Sequence, residues 1–197
     1  MKKVILSLAL LAGISTAAQA QVRVGIRGGI SAQTLSGDDD PVSGYKTDDY
    51  SYGLGGLGGL TFELPISDLI SIQPELLYNL KGTQINDSKV RLDLHYVDLP
   101  ILVRVNADGP YFEFGPQVGY LLSAKLGGDD KRTIKTSDLQ QLSLGYVAGV
   151  GYQITNGLSL GVRFNGAISS VGKDDDIFDQ QRNQVFSFVA GYRFGGN

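Results

Sequence analysis

Residues 94–126, LHYVDLPILVRVNADGPYFEFGPQVGYLLSAKL, read as two long strands joined at Asn106-Ala107-Asp108-Gly109. From Pro110 onward Phe112, Phe114, Val118, Tyr120, Leu122 and Leu126 share one parity, and Glu113, Gln117, Ser123 and Lys125 share the other. Alternation with period two gives a strand one oily and one polar face. These strands are longer than the about 5–6 residues usual in a soluble sheet. They suit the roughly 9–11 residues that a tilted strand needs to cross a bilayer. Asn, Asp and Gly tolerate the backbone of the tight hairpin turn between them.

The same pattern recurs on both sides. Strands are expected at 22–34, 51–63, 69–82, 91–105, 110–126, 139–153, 158–170 and 184–194. Thr155-Asn156-Gly157 carries the Asn-Gly hairpin signal. The connections run long, short, long, short, long, short, long, which calls for an even number of antiparallel strands with both ends on the short-turn side. Outer-membrane barrels have this asymmetry. The expected fold is therefore all-β: an eight-stranded antiparallel up-and-down transmembrane β-barrel over residues 21–197. A soluble barrel with the oily face inward is the rival; the alternation by itself does not say which face is inside.

Two local features need a reason. In the fourth strand the apolar parity switches from Leu92, Leu94 and Tyr96 to Val97, Leu99, Ile101, Val103 and Val105. A β-bulge near Tyr96–Asp98 would account for it, since one extra residue re-aims every later side chain. Pro74, Pro100 and Pro116 fall inside strands, so each is expected at a bulge or a strand limit.

Residues 1–20 stand apart. Lys2 and Lys3, the apolar run Val4–Ala12 and Ala18-Gln19-Ala20 have the order of a secretory signal peptide cleaved after Ala20. The apolar run is shorter than the ~20 residues of a spanning helix. Without Lys2 and Lys3 the balance is 15 basic against 20 acidic side chains, a charge of about −5, where nucleic acid would call for a basic stripe. The chain has no cysteine, hence no disulfide and no thiolate metal site. Its 27 glycines in 197 residues are nearly twice the usual ~7%. Glycine and aromatic enrichment suits a barrel that must bend and meet two membrane interfaces.

The polar parity carries Arg23, Arg27, Glu63, Gln73, Glu75, Lys81, Asp98, Arg104, Glu113, Gln117, Arg163 and Arg193. On the lipid face such charges cost roughly 2–4 kcal/mol for Arg or Lys at the midplane. Eight strands enclose a lumen just wide enough for side chains to fill it. These residues are expected to form a salt-bridged network that holds the lumen shut, not an open pore.

Other chemistry has thinner support. Gly53-Leu54-Gly55-Gly56-Leu57-Gly58 matches GxGxxG, but Thr61-Phe62-Glu63-Leu64-Pro65 follows it where a dinucleotide site needs a helix. A glycine-rich strand explains it. His95 is the single histidine, placed on the polar parity near the outer end of its strand. A hydrolase would need it beside Ser and an acid, and the Gly-x-Ser-x-Gly elbow is missing. A lumen or rim residue is the expected role. Asp38-Asp39-Asp40, Asp48-Asp49, Asp129-Asp130 and Asp174-Asp175-Asp176 fall in the long loops. They would suit divalent ions or the lipopolysaccharide surface, but they lack the calcium-loop register of alternating ligands closed by Glu. Solvated loop charge is the plainer account.

The run Tyr96-x-Asp98-x-Pro100-Ile101-Leu102-Val103 resembles the Y-x-(acid)-x-P-aliphatic signature of small PorT-like outer-membrane β-barrel proteins of the porin family. As in these proteins, a turn and a glycine- and aromatic-rich strand follow, Phe112-Glu113-Phe114-Gly115-Pro116. The likeness covers about residues 21–194 and implies fold and location far more than activity. Gly191-Tyr192-Arg193-Phe194 resembles the signal read by the barrel-assembly machinery, departing from it in running on to Gly195-Gly196-Asn197.

The expected function is a closed outer-membrane barrel with a structural or surface-interaction role through acidic loops, without catalysis, cofactor or metal. Its expected partners are outer-membrane lipid and lipopolysaccharide, the assembly machinery during insertion, and an envelope or extracellular protein. An accessory barrel of a secretion machine and a hydrolase using His95 are the alternatives.

Overall fold

A computed structural model describes residues 22–36, 50–51, 53–85, 91–127, 132–134, 140–154, 157–169 and 182–195. Among them run ten strands: β1 (Arg23–Ser36), β2 (Tyr50–Ser51), β3 (Gly53–Pro65), β4 (Ile70–Ile85), β5 (Arg91–Asn106), β6 (Pro110–Gly127), β7 (Arg132–Ile134), β8 (Leu142–Gln153), β9 (Leu158–Ala167) and β10 (Arg182–Arg193). Eight are long; β2 and β7 are short extensions paired to β4 and β6. The expected signal segment and the acidic clusters lie outside the described residues.

Each long strand pairs antiparallel with the long strand before and after it, and β10 returns to β1 with Ile30 opposite Phe188. The sheet is thus a closed eight-stranded up-and-down barrel. Closure removes the unpaired edge that an open sheet would present. Residues 66–69 and 107–109, and Ile154 and Gly157 between β8 and β9, lie at one end, where β1 begins and β10 ends. We call this the inner end, since short turns face the periplasm in barrels of this kind. The turn at 107–109 uses Asp108 at φ 48° and Gly109 at φ 121°, with Ala107 N donating to Pro110 O at 2.8 Å. Two successive positive φ values match the twist of the flanking strands, which is why Asp-Gly stands there.

The oily parity faces outward. Phe112, Phe114, Val118 and Tyr120 on β6 are exposed, as are Leu142, Leu144, Tyr146 and Val150 on β8. The polar parity faces in, and Arg27, Glu75, Asp98, Glu113 and Arg163 are buried. In water this arrangement would leave the oily belt unpaired with any apolar medium; in a bilayer it is the stable one.

The reading of β5 is corrected here. Its side-chain parity does not flip: Leu94, Tyr96, Asp98, Leu102 and Arg104 are all buried on one face. The irregularity lies in the partner strand. His95 faces Ser123 and Tyr96 faces Leu121, so Leu122 of β6 is the extra residue. The apolar residues change parity because the lumen changes character. Near its outer end it is lined by the cluster Leu94, Tyr96, Leu121 and Ala124. His95 consequently points outward, not into the lumen.

The prolines gather where pairing lapses, not at strand ends. The β4–β5 ladder breaks between Pro74↔Ile101 and Leu77↔Asp98, and the β5–β6 ladder between Pro100↔Gln117 and Val103↔Phe114. Pro116 keeps its partner Tyr146 on β8. A proline has no N–H to give to a ladder, so one patch of interrupted pairing accommodates all three.

The GxGxxG run lies within β3. Inward-facing Gly59 abuts β4 so closely that a β-carbon would sit 2.0 Å from Leu76 O. Outward-facing Gly28, Gly56 and Gly58 are different, since a β-carbon there would meet nothing nearer than 3.4 Å.

Candidate functional site: the barrel lumen and its two ends

Strand alternation alone brings the inward polar residues to the axis; their pairing depends on the closed sheet. At mid-lumen Arg27 (β1), Glu75 (β4), Glu113 (β6) and Arg163 (β9) form a ring of two cations and two anions. Arg163 Nη1 and Nη2 donate to the two carboxylate oxygens of Glu75 at 2.7 and 2.9 Å. Its Nε donates to Glu113 Oε1. Arg27 Nη1 reaches Glu113 at 3.1 Å and Glu75 at 3.3 Å. The fork of a guanidinium fits a carboxylate with two parallel bonds, which is why arginine suits this buried place. Gly149 of β8 stands between Glu113 and Arg163 in the sheet. A β-carbon there would sit 2.9 Å from Glu113 Oε1 and 3.0 Å from Arg163 Cγ, so glycine leaves the pair room to meet.

Farther out, Lys81 Nζ lies 3.5 Å from Asp98 Oδ2 and 4.3 Å from the centre of the Tyr96 ring. Asn79 Nδ2 donates to Asp98 Oδ2 at 2.5 Å, and Asn165 Nδ2 to Gln117 Oε1 at 2.9 Å. The apolar cluster at Tyr96 adjoins this set. Toward the inner end, Glu63 takes Arg193 Nη1 at 2.9 Å and lies 3.8 Å from Arg23 Nη1. Arg104 donates to Asn106 Oδ1 at 2.8 Å, Gln153 Oε1 at 3.0 Å and Gln73 Oε1 at 3.4 Å. Its guanidinium also stacks 3.7 Å from the centre of the Tyr111 ring. Gln73 Nε2 in turn donates to Glu75 Oε1 at 2.5 Å, linking the inner set to the ring.

The twelve residues expected in the network thus all face inward, in three sets; Arg23 and Arg193 stand half-buried at the inner mouth. The prediction missed Tyr96, Tyr111, Gln153 and Gly149. Tyr111 and Gln153 share the parity of polar neighbours on their own strands, which was the available signal.

His95 sits elsewhere. On the outer face its Nδ1 shares a 2.5 Å hydrogen bond with Tyr78 Oη, and Ser123 is its cross-strand neighbour. Ser123 Oγ has no hydrogen-bond partner among the described residues, so the Ser–His contact of a relay is not made. His95→Ala is expected to cost about 1 kcal/mol, the net value of one hydrogen bond, and to leave barrel assembly intact. Urea titration of the heat-dependent gel shift measures both. Among the described residues no group of three His, Cys, Asp or Glu is placed to hold a metal ion.

A family model described as "Outer membrane protein beta-barrel domain" matches residues 17–172. The chain belongs to that family. The protein lies in the outer membrane, where its oily belt meets lipid. Among curated proteins a sequence comparison finds no match. Solved structures show the same fold at low identity. Neisserial surface protein A is 14% identical, with 87% of this chain and 97% of that one covered and a TM-score of 0.57. Ail, the attachment invasion locus protein of Yersinia pestis, solved with the heparin analogue sucrose octasulfate, is 16% identical, with coverages of 88% and 99% and a TM-score of 0.50. The outer membrane enzyme PagL is 11% identical, with coverages of 84% and 98% and a TM-score of 0.50. At these identities the likeness is one of fold.

Proposed function

We propose that this family member is a closed, non-catalytic barrel that works at its ends, with a structural or surface-interaction role through its acidic outer loops. One observation supports this above others. Arg27, Glu75, Glu113 and Arg163 fill mid-lumen, each no more than 4% exposed. A solute would have to break several charge-assisted hydrogen bonds to pass, and such bonds are the strong ones. The lumen network serves to fix the barrel's shape. The loops carrying Asp38–Asp40, Asp48-Asp49, Asp129-Asp130 and Asp174–Asp176 are what the cell's surroundings meet. Export by residues 1–20, cleavage after Ala20, insertion by the barrel-assembly machinery and kinship with PorT-like barrels complete this reading.

The test has two arms. In planar bilayers the purified barrel is expected to give no steady conductance. On cells, changing the loop aspartates to asparagine is expected to abolish surface association with divalent cations and lipopolysaccharide while the heat-dependent gel shift persists. Steady conductance, or surface association unchanged by loss of the aspartates, defeats the proposal.

A further inference from the structure

The charges in the lumen are not evenly matched along its axis. The ring of Arg27, Arg163, Glu75 and Glu113 is neutral, and so is the pair Lys81–Asp98. At the inner end Glu63 alone stands against Arg23 and Arg193, and Arg104 meets only neutral oxygens and the Tyr111 ring among the described residues. Among the described lumen residues the excess, two positive charges, is therefore gathered at one mouth. Arg104 is 4% exposed. Glu63 and Glu113 act on it only beyond hydrogen-bond reach, and a buried cation without a direct ionic partner is costly.

These residues line a cleft at the inner mouth that holds about 300 Å³ up to its open rim. Inside that rim the cleft has room for about one water-sized group. Arg27 Nε and Arg193 Nε, both belonging to lining residues, are buried without a hydrogen-bond partner among the described residues. Gly191 keeps the wall open: a β-carbon there would lie 2.9 Å from Ser159 Oγ and 3.7 Å from Arg27 Nε.

We infer that the inner mouth of the barrel is a binding site for a phosphate group, held by Arg23, Arg104 and Arg193 with one oxygen directed toward Arg27 Nε. The excess charge asks for an anion. Room for one water-sized group admits a single phosphate oxygen and leaves the rest of the group at the open rim. Guanidinium forks match the oxygen geometry of phosphate. The group arrives either as free phosphate or as the headgroup of an inner-leaflet lipid; both present the same chemistry.

The full chain, recovered from the outer membrane into micelles of a phosphate-free maltoside detergent, is titrated with inorganic phosphate at constant ionic strength against chloride. Calorimetry and the midpoint of the heat-dependent gel shift are read together. Phosphate is expected to bind and raise the midpoint. Arg104→Gln is expected to weaken binding about tenfold or more, as loss of a hydrogen bond to a charged group does. Gly191→Ser fills the wall without changing charge and is expected to weaken it likewise, so the inference survives a failure of Arg104→Gln to assemble. Lys125→Gln, exposed on the outer part of β6, leaves binding unchanged. Phosphate binding that persists when phosphatidylglycerol is added to the micelles points to free phosphate. Phosphatidylglycerol that itself stabilises the wild type and displaces phosphate points to the lipid headgroup. The inference is overturned if neither probe acts beyond chloride, or if Gly191→Ser binds phosphate like the wild type.

Discussion

Glu113→Gln lowers the stability of the barrel by about 3–5 kcal/mol, the usual cost of removing one partner from a buried ion pair. The side chain keeps its shape, so packing hardly changes. What changes is the count: Arg27 and Arg163 then face Glu75 alone, in a space that neither can leave. Arg163 Nε and Arg27 Nη1 are left with a neutral amide oxygen where each had a charged carboxylate oxygen. Adding Arg27→Gln restores neutrality and is expected to return more than half of the loss. Residues that share partners do not add, so the double variant measures their coupling directly. Urea unfolding in phospholipid vesicles, followed by the gel shift, gives both numbers. A loss under about 1 kcal/mol for Glu113→Gln would mean that the ring is hydrated and worth no more than a surface pair.

Val118→Arg is the complementary experiment on the outer face. Val118 lies midway along β6, exposed between Leu99 and Leu144 of its neighbours, which are exposed too. An arginine here faces hydrocarbon and costs roughly 2–4 kcal/mol at the midplane. Gln117→Asn keeps a polar amide one residue away, on the lumen side, and Val118→Asn puts the same amide on the lipid side. If the faces are as described, Val118→Arg and Val118→Asn deplete the folded barrel in the outer membrane far more than Gln117→Asn. Equal depletion would contradict the assignment of the faces.

The contrast between these neighbours was legible in the residues themselves. Phe112, Phe114 and Val118 against Glu113 and Gln117 required only period two, and loop lengths placed the termini. What period two cannot supply is the content of the lumen. Leu94 and Tyr96 are apolar and inward, so hydrophobicity misjudged them and carried His95 to the wrong face. The extra residue, Leu122, closes the apolar triplet Tyr120-Leu121-Leu122, which does not by itself say which of the three is unpaired. Nor could Arg163 be matched to Glu75, 88 positions away. That contact exists only once the sheet has closed and its strand stagger is set. Each strand announces its inward residues, while the identity of their partners is a property of the circumference.

The outward glycines give the wall a mechanical consequence. Along the seam of β1 and β3, Gly28 stands opposite Gly58, and Gly56 opposite Ile30. Across the barrel Phe112, Phe114, Tyr120, Tyr146 and Tyr152 stud the outside. Tyr146, Phe164 and Phe186 meet ring to ring across β8, β9 and β10 and brace them; a bare backbone has only its ladder of hydrogen bonds. Lateral pressure from the bilayer therefore meets a stiff flank and a compliant one. Breathing of the cross-section is expected to concentrate at the glycine seam, so the barrel should flex as a hinged tube and not as a rigid ring.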